Sequence, residues 1–148
     1  MSEITSPFSM ETAQEYVDSE NYQDTANISA FRIDELCLQC HGLSAARGWW
    51  SDRNTGKPKA RNAGELIALM HSELSEALEA DRTGCMSDHI PEFTGVEEEL
   101  ADALVRIFDF AGAKTLRLGE AFRAKMEYNR VRKDHSLESR RQEGGKAY

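Results

Sequence analysis

Two pairs of carboxylates stand at positions where helical periodicity calls for apolar residues. Glu73 and Glu76 interrupt one apolar repeat, and Glu99 and Asp102 lie on one face at the start of the next. If these stretches form adjoining helices, the four carboxylates meet in one pocket and repel one another. A divalent cation relieves that repulsion, and purely oxygen ligands favour Mg²⁺, Mn²⁺ or Ca²⁺ over zinc. The sequence therefore predicts a metal site formed by Glu73, Glu76, Glu99 and Asp102.

The second pair leads into the stretch 100–111, which is almost entirely apolar. Its polar residues are Asp102, Arg106 and Asp109, whose spacing of four and then three places them on one narrow face of a helix. A helix with so little polar surface is expected to be buried on most sides. We expect Arg106 to pair with Asp102 or Asp109, or Asp109 to support the metal ligands from one turn further along.

Capping signals delimit the helices that would carry these residues. Thr94-Gly-Val-Glu97 has the pattern of a capping box, and Asn62-Ala-Gly-Glu65 is similar to one. Long periodic segments and only three prolines favour an all-α chain. We expect helices over about 27–47, 62–81 and 94–111, a turn at 112–117, and a fourth helix from about residue 118.

The order of these motifs resembles a known protein family. Glu73-x-x-Glu76 followed by Glu99-x-x-Asp102 resembles the signature of the all-α nucleoside triphosphate pyrophosphatases, which include MazG and the dimeric dCTP and dUTP pyrophosphatases. The segment 125–132 and the terminal segment 144–146 are similar to the phosphate-binding end of that family. The resemblance implies a four-helix bundle protomer that assembles as a homodimer or as a homotetramer, a dimer of dimers.

The resemblance also implies an activity and a set of functional residues. A protein of this kind hydrolyses a (deoxy)nucleoside triphosphate to the monophosphate and pyrophosphate with Mg²⁺, or Mn²⁺ in its place, and controls nucleotide pools. Glu73 and Glu76 would be catalytic, one of them as the base for the attacking water. One tryptophan would stack on the nucleobase, and basic or amide side chains would contact the phosphates. The candidates for substrate binding are Trp49, Trp50, Lys125, Asn129, Arg130 and Lys146.

Charge and pattern divide the chain into three parts. The net charge is −8, yet Lys and Arg outnumber Asp and Glu from residue 114 onward. An acidic body with a basic end suits a ligand that combines metal with phosphate, and does not suit a nucleic-acid polymer. We divide the sequence into an acidic N-terminal extension (1–26), a helical MazG-like pyrophosphohydrolase domain (27–134) and a basic C-terminal tail that contributes to the site (135–148).

The location of the protein is predicted from its start and its cysteines. The first residues lack the basic and apolar parts of a signal peptide, and no stretch is apolar enough to cross a bilayer. Cys37-Leu-Gln-Cys40-His41 matches the pattern of c-type haem attachment, but that chemistry needs an exported chain, so we expect reduced thiols in the core. The expectation is a cytoplasmic protein without a membrane partner.

Two other functions stay open at this point. A noncatalytic helical protein that binds a partner would explain the helices and the basic tail, but it would not explain carboxylates at core positions. A metal-dependent hydrolase of another phosphate compound, such as an alarmone or a phosphoribosyl nucleotide, would use the same four carboxylates. Titration with divalent metal tests the first alternative, and a product assay across nucleotides tests the second.

Overall fold

Helices make up the regular secondary structure of the residues that the computed structural model describes, which are 9–132, 134 and 136–142. Outside the helices these residues contain two isolated β-bridges, Ser51 with Pro58 and Met86 with Thr94. The predicted all-α class is therefore confirmed, and no helix among these residues is long and apolar enough to cross a membrane. The helices are α1 (Met10–Asp18), α2 (Glu20–Ala46), α3 (Ala63–Thr83), α4 (Gly95–Ala113), α5 (Leu118–Arg130) and α6 (Leu137–Arg141).

The predicted starts of α3 and α4 are confirmed by their caps. The side chain of Asn62 accepts hydrogen bonds from the backbone N–H groups of Gly64 and Glu65, at 2.8 and 3.1 Å. The Thr94 hydroxyl accepts from the N–H of Glu97 at 3.3 Å, and the Glu97 carboxylate accepts from the N–H of Thr94 at 2.8 Å. Each cap satisfies N–H groups that have no partner within the helix, which fixes the residue where the helix begins.

The N-terminal region is more helical than the sequence predicted. We expected an acidic extension over 1–26 and a first long helix from about Asn27, whereas α1 precedes α2 and α2 begins at Glu20. Ser19 separates the two helices with extended backbone, and its hydroxyl donates to the Tyr16 carbonyl at 2.6 Å. No proline or glycine stands between Glu20 and Asn27. Nothing in the backbone chemistry therefore delays α2 to the predicted cap.

The chain forms two compact units. Among the described residues, the first unit comprises 33–116, and the second comprises 9–32 together with those from 117 onward. The first unit holds the C-terminal part of α2, the whole of α3 and α4, and the loops between them. The second holds α1, the N-terminal part of α2, α5 and α6. The predicted carboxylate ligands all belong to the first unit.

Small residues let the helices of the first unit approach closely. Its main helix pair is α3 with α4, and the core contains Ala77, Ala80, Ala103 and Ala111. Gly112 marks the approach of α4 to α2, because a Cβ there would lie 2.5 Å from the carbonyl oxygen of a residue on α2. Short side chains at these contacts leave the longer carboxylate side chains to fill the space between α3 and α4.

Large apolar side chains of the first unit remain partly exposed. Along α3 they are Ile67, Leu74 and Leu78, and along α4 they are Leu100 and Leu104. The spacings of seven and four residues place each set on a single stripe of its helix. Among the described residues no large side chain is completely buried. One copy of the chain therefore presents an apolar surface that it does not cover.

Candidate metal centre

Three of the four predicted metal ligands come together between α3 and α4. Glu73, Glu76 and Glu99 each offer a carboxylate oxygen, and these oxygens lie within 4.8 Å of one another. Glu73 and Glu76 are one turn apart on α3, and the pairing of α3 with α4 brings Glu99 to the same seam. Glu73 is only 4% exposed, whereas Glu99 is half-buried and Glu76 is exposed. The cluster therefore opens to solvent on the side of Glu76.

The donors and distances of this cluster fit a small divalent cation. Mg²⁺ binds oxygen at about 2.0–2.1 Å, so opposite ligands of an octahedral site lie about 4.2 Å apart. Adjacent ligands of such a site lie about 3.0 Å apart, so the three oxygens, which lie within 4.8 Å of one another, would draw closer together around the ion. The donor set consists entirely of carboxylate oxygens, which suit Mg²⁺ and Mn²⁺ better than they suit zinc.

The pKa of Glu99 reflects electrostatic repulsion between the carboxylates of the cluster. Burial raises the pKa of Glu99 above its usual value, and the neighbouring carboxylates of Glu76 and Glu73 raise it further. A raised carboxyl pKa means that the charged form is disfavoured in the folded state. A cation bound among these groups would reverse that effect, because it favours their ionised forms.

Asp102, the fourth predicted ligand, lies outside this group of three. It follows Glu99 by one turn of α4, and it lines a cavity next to the cluster. Burial raises the pKa of Asp102, the charge of Glu73 raises it further, and the charge of Arg106 lowers it. Asp102 therefore shares the electrostatic environment of the cluster at its edge.

Arg106 is paired with a member of the cluster. Its Nε donates to Oε1 of Glu73 at 2.6 Å. The sequence argument was wrong about this partner, because it considered only Asp102 and Asp109, which lie on the same helix as Arg106. The buried Glu73 carboxylate on α3 gains more from a guanidinium than a better solvated group would. The ion pair orients Glu73 through one of its two carboxylate oxygens.

Asp109 anchors the loop that follows α2. Its carboxylate accepts a hydrogen bond from Nε1 of Trp50 at 2.9 Å and hydrogen-bonds with Nδ1 of His41, also at 2.9 Å. The rings of His41 and Trp50 meet edge to face, with their centroids 5.3 Å apart. The sequence argument missed this arrangement, although a carboxylate at a core position of α4 signals a need for buried donors. Asp109 therefore joins α4 to α2 and to the loop after it.

The two adjacent tryptophans have different surroundings. Trp50 is held by Asp109, whereas Trp49 is 68% exposed. Trp49 lines a cavity of about 240 Å³ that also reaches Asp102 and Arg106. Of the two predicted base-binding residues, Trp49 thus has a free ring face beside the candidate metal centre. The other side chains of this cavity are Ser44, Arg61, Leu66, Leu69, Val105 and Asp109.

The remaining predicted substrate-binding residues do not belong to the first unit. Lys125, Asn129 and Arg130 lie on α5 in the second unit. The ammonium of Lys125 lies 4.6 Å from the centre of the Tyr128 ring, and Arg130 pairs with Glu127 on its own helix at 2.7 Å. Lys146 lies outside the described residues. The contribution of these four side chains to the site stays a prediction.

A histidine stands at the edge of the cluster. His89, predicted to be a surface loop residue, is exposed, and its Nδ1 lies 2.8 Å from Oε1 of Glu98. The hydrogen bond with Glu98 and the charge of that carboxylate raise the pKa of His89, and Asp102 adds a smaller effect. The protonated form of His89 offsets part of the charge of Glu98, a carboxylate that also raises the pKa of Glu99.

Comparison of the chain with protein-family models, with curated proteins and with solved structures gave no match. The resemblance to the all-α nucleoside triphosphate pyrophosphatases therefore remains a prediction from the two carboxylate motifs and the basic C-terminal segment. What the structure adds independently is the meeting of Glu73, Glu76 and Glu99 in one group.

Proposed function

We propose that this protein is a Mg²⁺-dependent nucleoside triphosphate pyrophosphohydrolase, which releases a nucleoside monophosphate and pyrophosphate from a (deoxy)nucleotide. The observation that carries the proposal is the group formed by Glu73, Glu76 and Glu99 on two paired helices. Assembling carboxylates around a buried member costs free energy when no cation is present. A metal ion that binds phosphate would offset this cost.

Glu73, Glu76 and Glu99 would hold the cation, either Mg²⁺ or Mn²⁺, with Asp102 beside them. Bound there, it would neutralise phosphate charge and lower the pKa of a bound water. Glu76 is the best placed to accept the proton of the attacking water, because it is the most exposed of the three and Glu73 is engaged by Arg106. The oxygen of that water would bond to a phosphorus atom of the α–β linkage. The bond from the same phosphorus to the bridging oxygen would break, and pyrophosphate would be released.

Trp49 and the cavity beside it would receive the nucleoside. Leu66, Leu69 and Val105 give the cavity apolar walls, and the exposed ring of Trp49 supplies a stacking surface. Stacking of a base on an aromatic side chain contributes about 1–3 kcal/mol and tolerates any base. On the resemblance alone, we also propose side-chain contacts with the phosphates. The residues that would make them are Lys125, Asn129, Arg130 and Lys146.

We further propose a protomer of the four-helix-bundle type whose active form is a homodimer or a dimer of dimers. The support is the apolar stripe of Ile67, Leu74 and Leu78 on α3 together with Leu100 and Leu104 on α4. Contiguous apolar surface of this kind marks interaction sites on proteins, and closed symmetric assemblies are the common way to cover it. Light scattering at low micromolar concentration tests the oligomer, which a monomeric mass would reject.

We assign the reaction to control of nucleotide pools in the cytoplasm. Cys37, Cys40 and Cys85 are all free, and cysteines stay reduced in that compartment. Burial raises the pKa of the Cys37 and Cys40 thiols, so both are held in their less reactive form. Fractionation of cells that express the native protein tests the location.

The decisive test of the activity is a panel of canonical and modified nucleoside triphosphates, incubated with Mg²⁺ and scored separately for pyrophosphate and orthophosphate. We expect pyrophosphate and the monophosphate in equal amounts, and no activity after the metal is removed with a chelator. Release of orthophosphate would point to a different reaction. Absence of any product across the panel would reject the proposed function.

A further inference from the structure

The loop after α2 is a defined structure with its own hydrogen bonds. We call residues 47–61 the basic loop. The N–H of Lys59 donates to the Trp50 carbonyl, and the N–H of Asp52 donates to the Lys57 carbonyl, both at 2.8 Å. The Asp52 carboxylate accepts hydrogen bonds from within the turn, and these bonds lower its pKa. Trp50 is also tied to α4 through its indole N–H, so the backbone of the loop has a defined course that sets where its side chains begin.

Cations of the basic loop line a second cavity, of about 520 Å³. They are Arg47, Arg53, Lys59 and Arg61, and the carboxylate among the lining residues is Glu65, which pairs with Arg61 at 2.8 Å. Within the part of the chain that the structure describes, Arg47, Arg53 and Lys59 form no ion pair. We call this cavity the basic basin. A concave surface with several unpaired cations concentrates positive potential, and that potential favours an anion.

The basic basin adjoins the cavity of the candidate metal centre. Trp49 and Arg61 line both cavities, so they form the wall between them. On the other side of Trp49 and Arg61, the first cavity has aliphatic side chains in its lining and ends at Asp102 and Arg106. Arg106 forms an ion pair with Glu73 of the carboxylate cluster. The surface of the first unit thus runs from an acidic end, through an apolar chamber with an exposed indole, to a basic end.

This order of surfaces restricts the layout of a ligand that fills it. The aliphatic side chains and the free aromatic face of this chamber suit a nucleobase and its sugar. The chamber suits phosphate poorly, because its two arginines are already in ion pairs and the carboxylates of Asp102 and Asp109 also line it. A metal at the acidic end would take one phosphate chain. The cations of the basic basin are separated from that end by the chamber, so they are available to a different anionic group.

We propose that the basic basin binds a phosphate group of the substrate on the far side of Trp49 from the carboxylate cluster. The substrate class is then a nucleotide phosphorylated at two separated positions, with one group held through the metal and the other by Arg47, Arg53 and Lys59. The binding of the first phosphate group through a metal ion rests on the proposed function. The basin itself rests on the cations and on the wall formed by Trp49.

Binding of two commercially available probes tests the basin without turnover. Dissociation constants are measured by calorimetry for adenosine 5′-monophosphate and adenosine 3′,5′-bisphosphate, each with Mg²⁺ at fixed ionic strength. The ratio of the two constants cancels any preference for the base. We expect the bisphosphate to bind about ten-fold more tightly, which corresponds to one added charge-assisted contact.

Two double variants locate the second phosphate. Arg53→Gln with Lys59→Gln should bring the ratio close to one, and it should keep the loop, since Lys59 joins the turn through its backbone N–H. Arg82→Gln with Lys114→Gln removes the same charge from the same unit outside both cavities. This control should retain the ten-fold preference, so a general charge effect is separated from a local contact.

The outcomes separate the basin from the proposed activity. Equal binding of the two probes, or binding of neither, overturns the basin even if nucleoside triphosphates are hydrolysed. A preference that survives the loop variant, or that the control also abolishes, overturns it too, because the second phosphate then lies elsewhere. Conversely, the ten-fold preference supports the basin even if the triphosphate panel yields no pyrophosphate, in which case only the proposed reaction fails.

Discussion

Helix α4 carries buried carboxylates in two contrasting environments. Near its start, Glu99 lies against Glu73 and Glu76, and near its end Asp109 receives hydrogen bonds from His41 and Trp50. Burial and the neighbouring carboxylates raise the pKa of Glu99. The hydrogen bonds from His41 and Trp50, by contrast, stabilise the carboxylate of Asp109. The cluster has one such partner, the Arg106 guanidinium on Glu73, for three carboxylates, and a cation would balance the remaining charge.

This contrast separates two uses of a polar residue in a core. A buried carboxylate that is fully hydrogen-bonded stabilises the packing around it. A buried carboxylate that faces others of its kind destabilises the fold until a ligand binds, which is the usual state of functional sites.

The largest effect is expected when the cluster loses one charge. Glu76→Gln should lower turnover by about 10²–10⁴-fold, because it removes the proposed base, while the unfolding free energy of the metal-free protein should hold or rise as repulsion is relieved. Steady-state kinetics and thermal unfolding in a chelator measure the two quantities. Exposed Glu79→Gln, one turn further on α3, is the matched control. Near-normal activity of Glu76→Gln would reject the metal-centre assignment.

The ion pair that orients Glu73 should matter less than the ligands themselves. Arg106→Gln removes the 2.6 Å contact with Glu73, and a partner of this kind is worth about 10–100-fold in metal affinity or activity. Arg106→Lys should recover part of the loss, since the charge remains but the geometry of the Nε donor does not. Mg²⁺ titration monitored by thermal shift tests this. Identical metal affinities for wild type and Arg106→Gln would show that the pair has no part in the centre.

Changing the satisfied carboxylate should affect stability first. Asp109→Ala leaves the half-buried donors of His41 and Trp50 without their acceptor, which costs about 1 kcal/mol of unfolding free energy, the low end for an unsatisfied donor. Asp102→Ala on the same helix serves as the comparison, because the raised pKa of Asp102 indicates an unfavourable charge rather than a satisfied one. Urea denaturation without metal measures both. Equal losses of stability for the two variants would remove the distinction between the two environments.

The smallest effect is the dependence of stability on pH. The folded-state pKa of Glu99 is raised above the ordinary value of 4.5, so the folded protein binds more protons than the unfolded chain in this window. Its contribution is therefore present at low pH and is lost as pH rises from about 4.5 through the raised pKa. The difference in unfolding free energy between wild type and Glu99→Gln, followed without metal, should move in that direction. Saturating Mg²⁺ should reverse the trend, and a difference that is independent of pH would contradict it.

Local chemistry made much of the first unit predictable. Asn62 and Thr94 set the starts of α3 and α4 through hydrogen bonds that span at most three residues, so the sequence alone contains both partners. Periodicity likewise predicted core positions for the carboxylates, and among Glu73, Glu76 and Glu99 this is confirmed for Glu73 alone, since Glu99 is half-buried and Glu76 is exposed. The start of α2 was predicted too late, because a good N-cap residue inside a long helix-forming stretch does not by itself begin a helix.

The helical class, the caps and the spacing of the carboxylates along α3 and α4 follow from the amino-acid sequence, because each depends on neighbours within one or two turns. Only the tertiary structure decided the partners. Several contacts join segments that are far apart in the chain. They are the ion pair of Arg106 with Glu73, the hydrogen bonds of Asp109 with His41 and Trp50, and the position of Trp49 between two cavities. Such contacts depend on how helices rotate and pack against each other, and small residues at the crossings set that geometry. Spacing along one helix shows that a charge needs a partner, but not which helix supplies it.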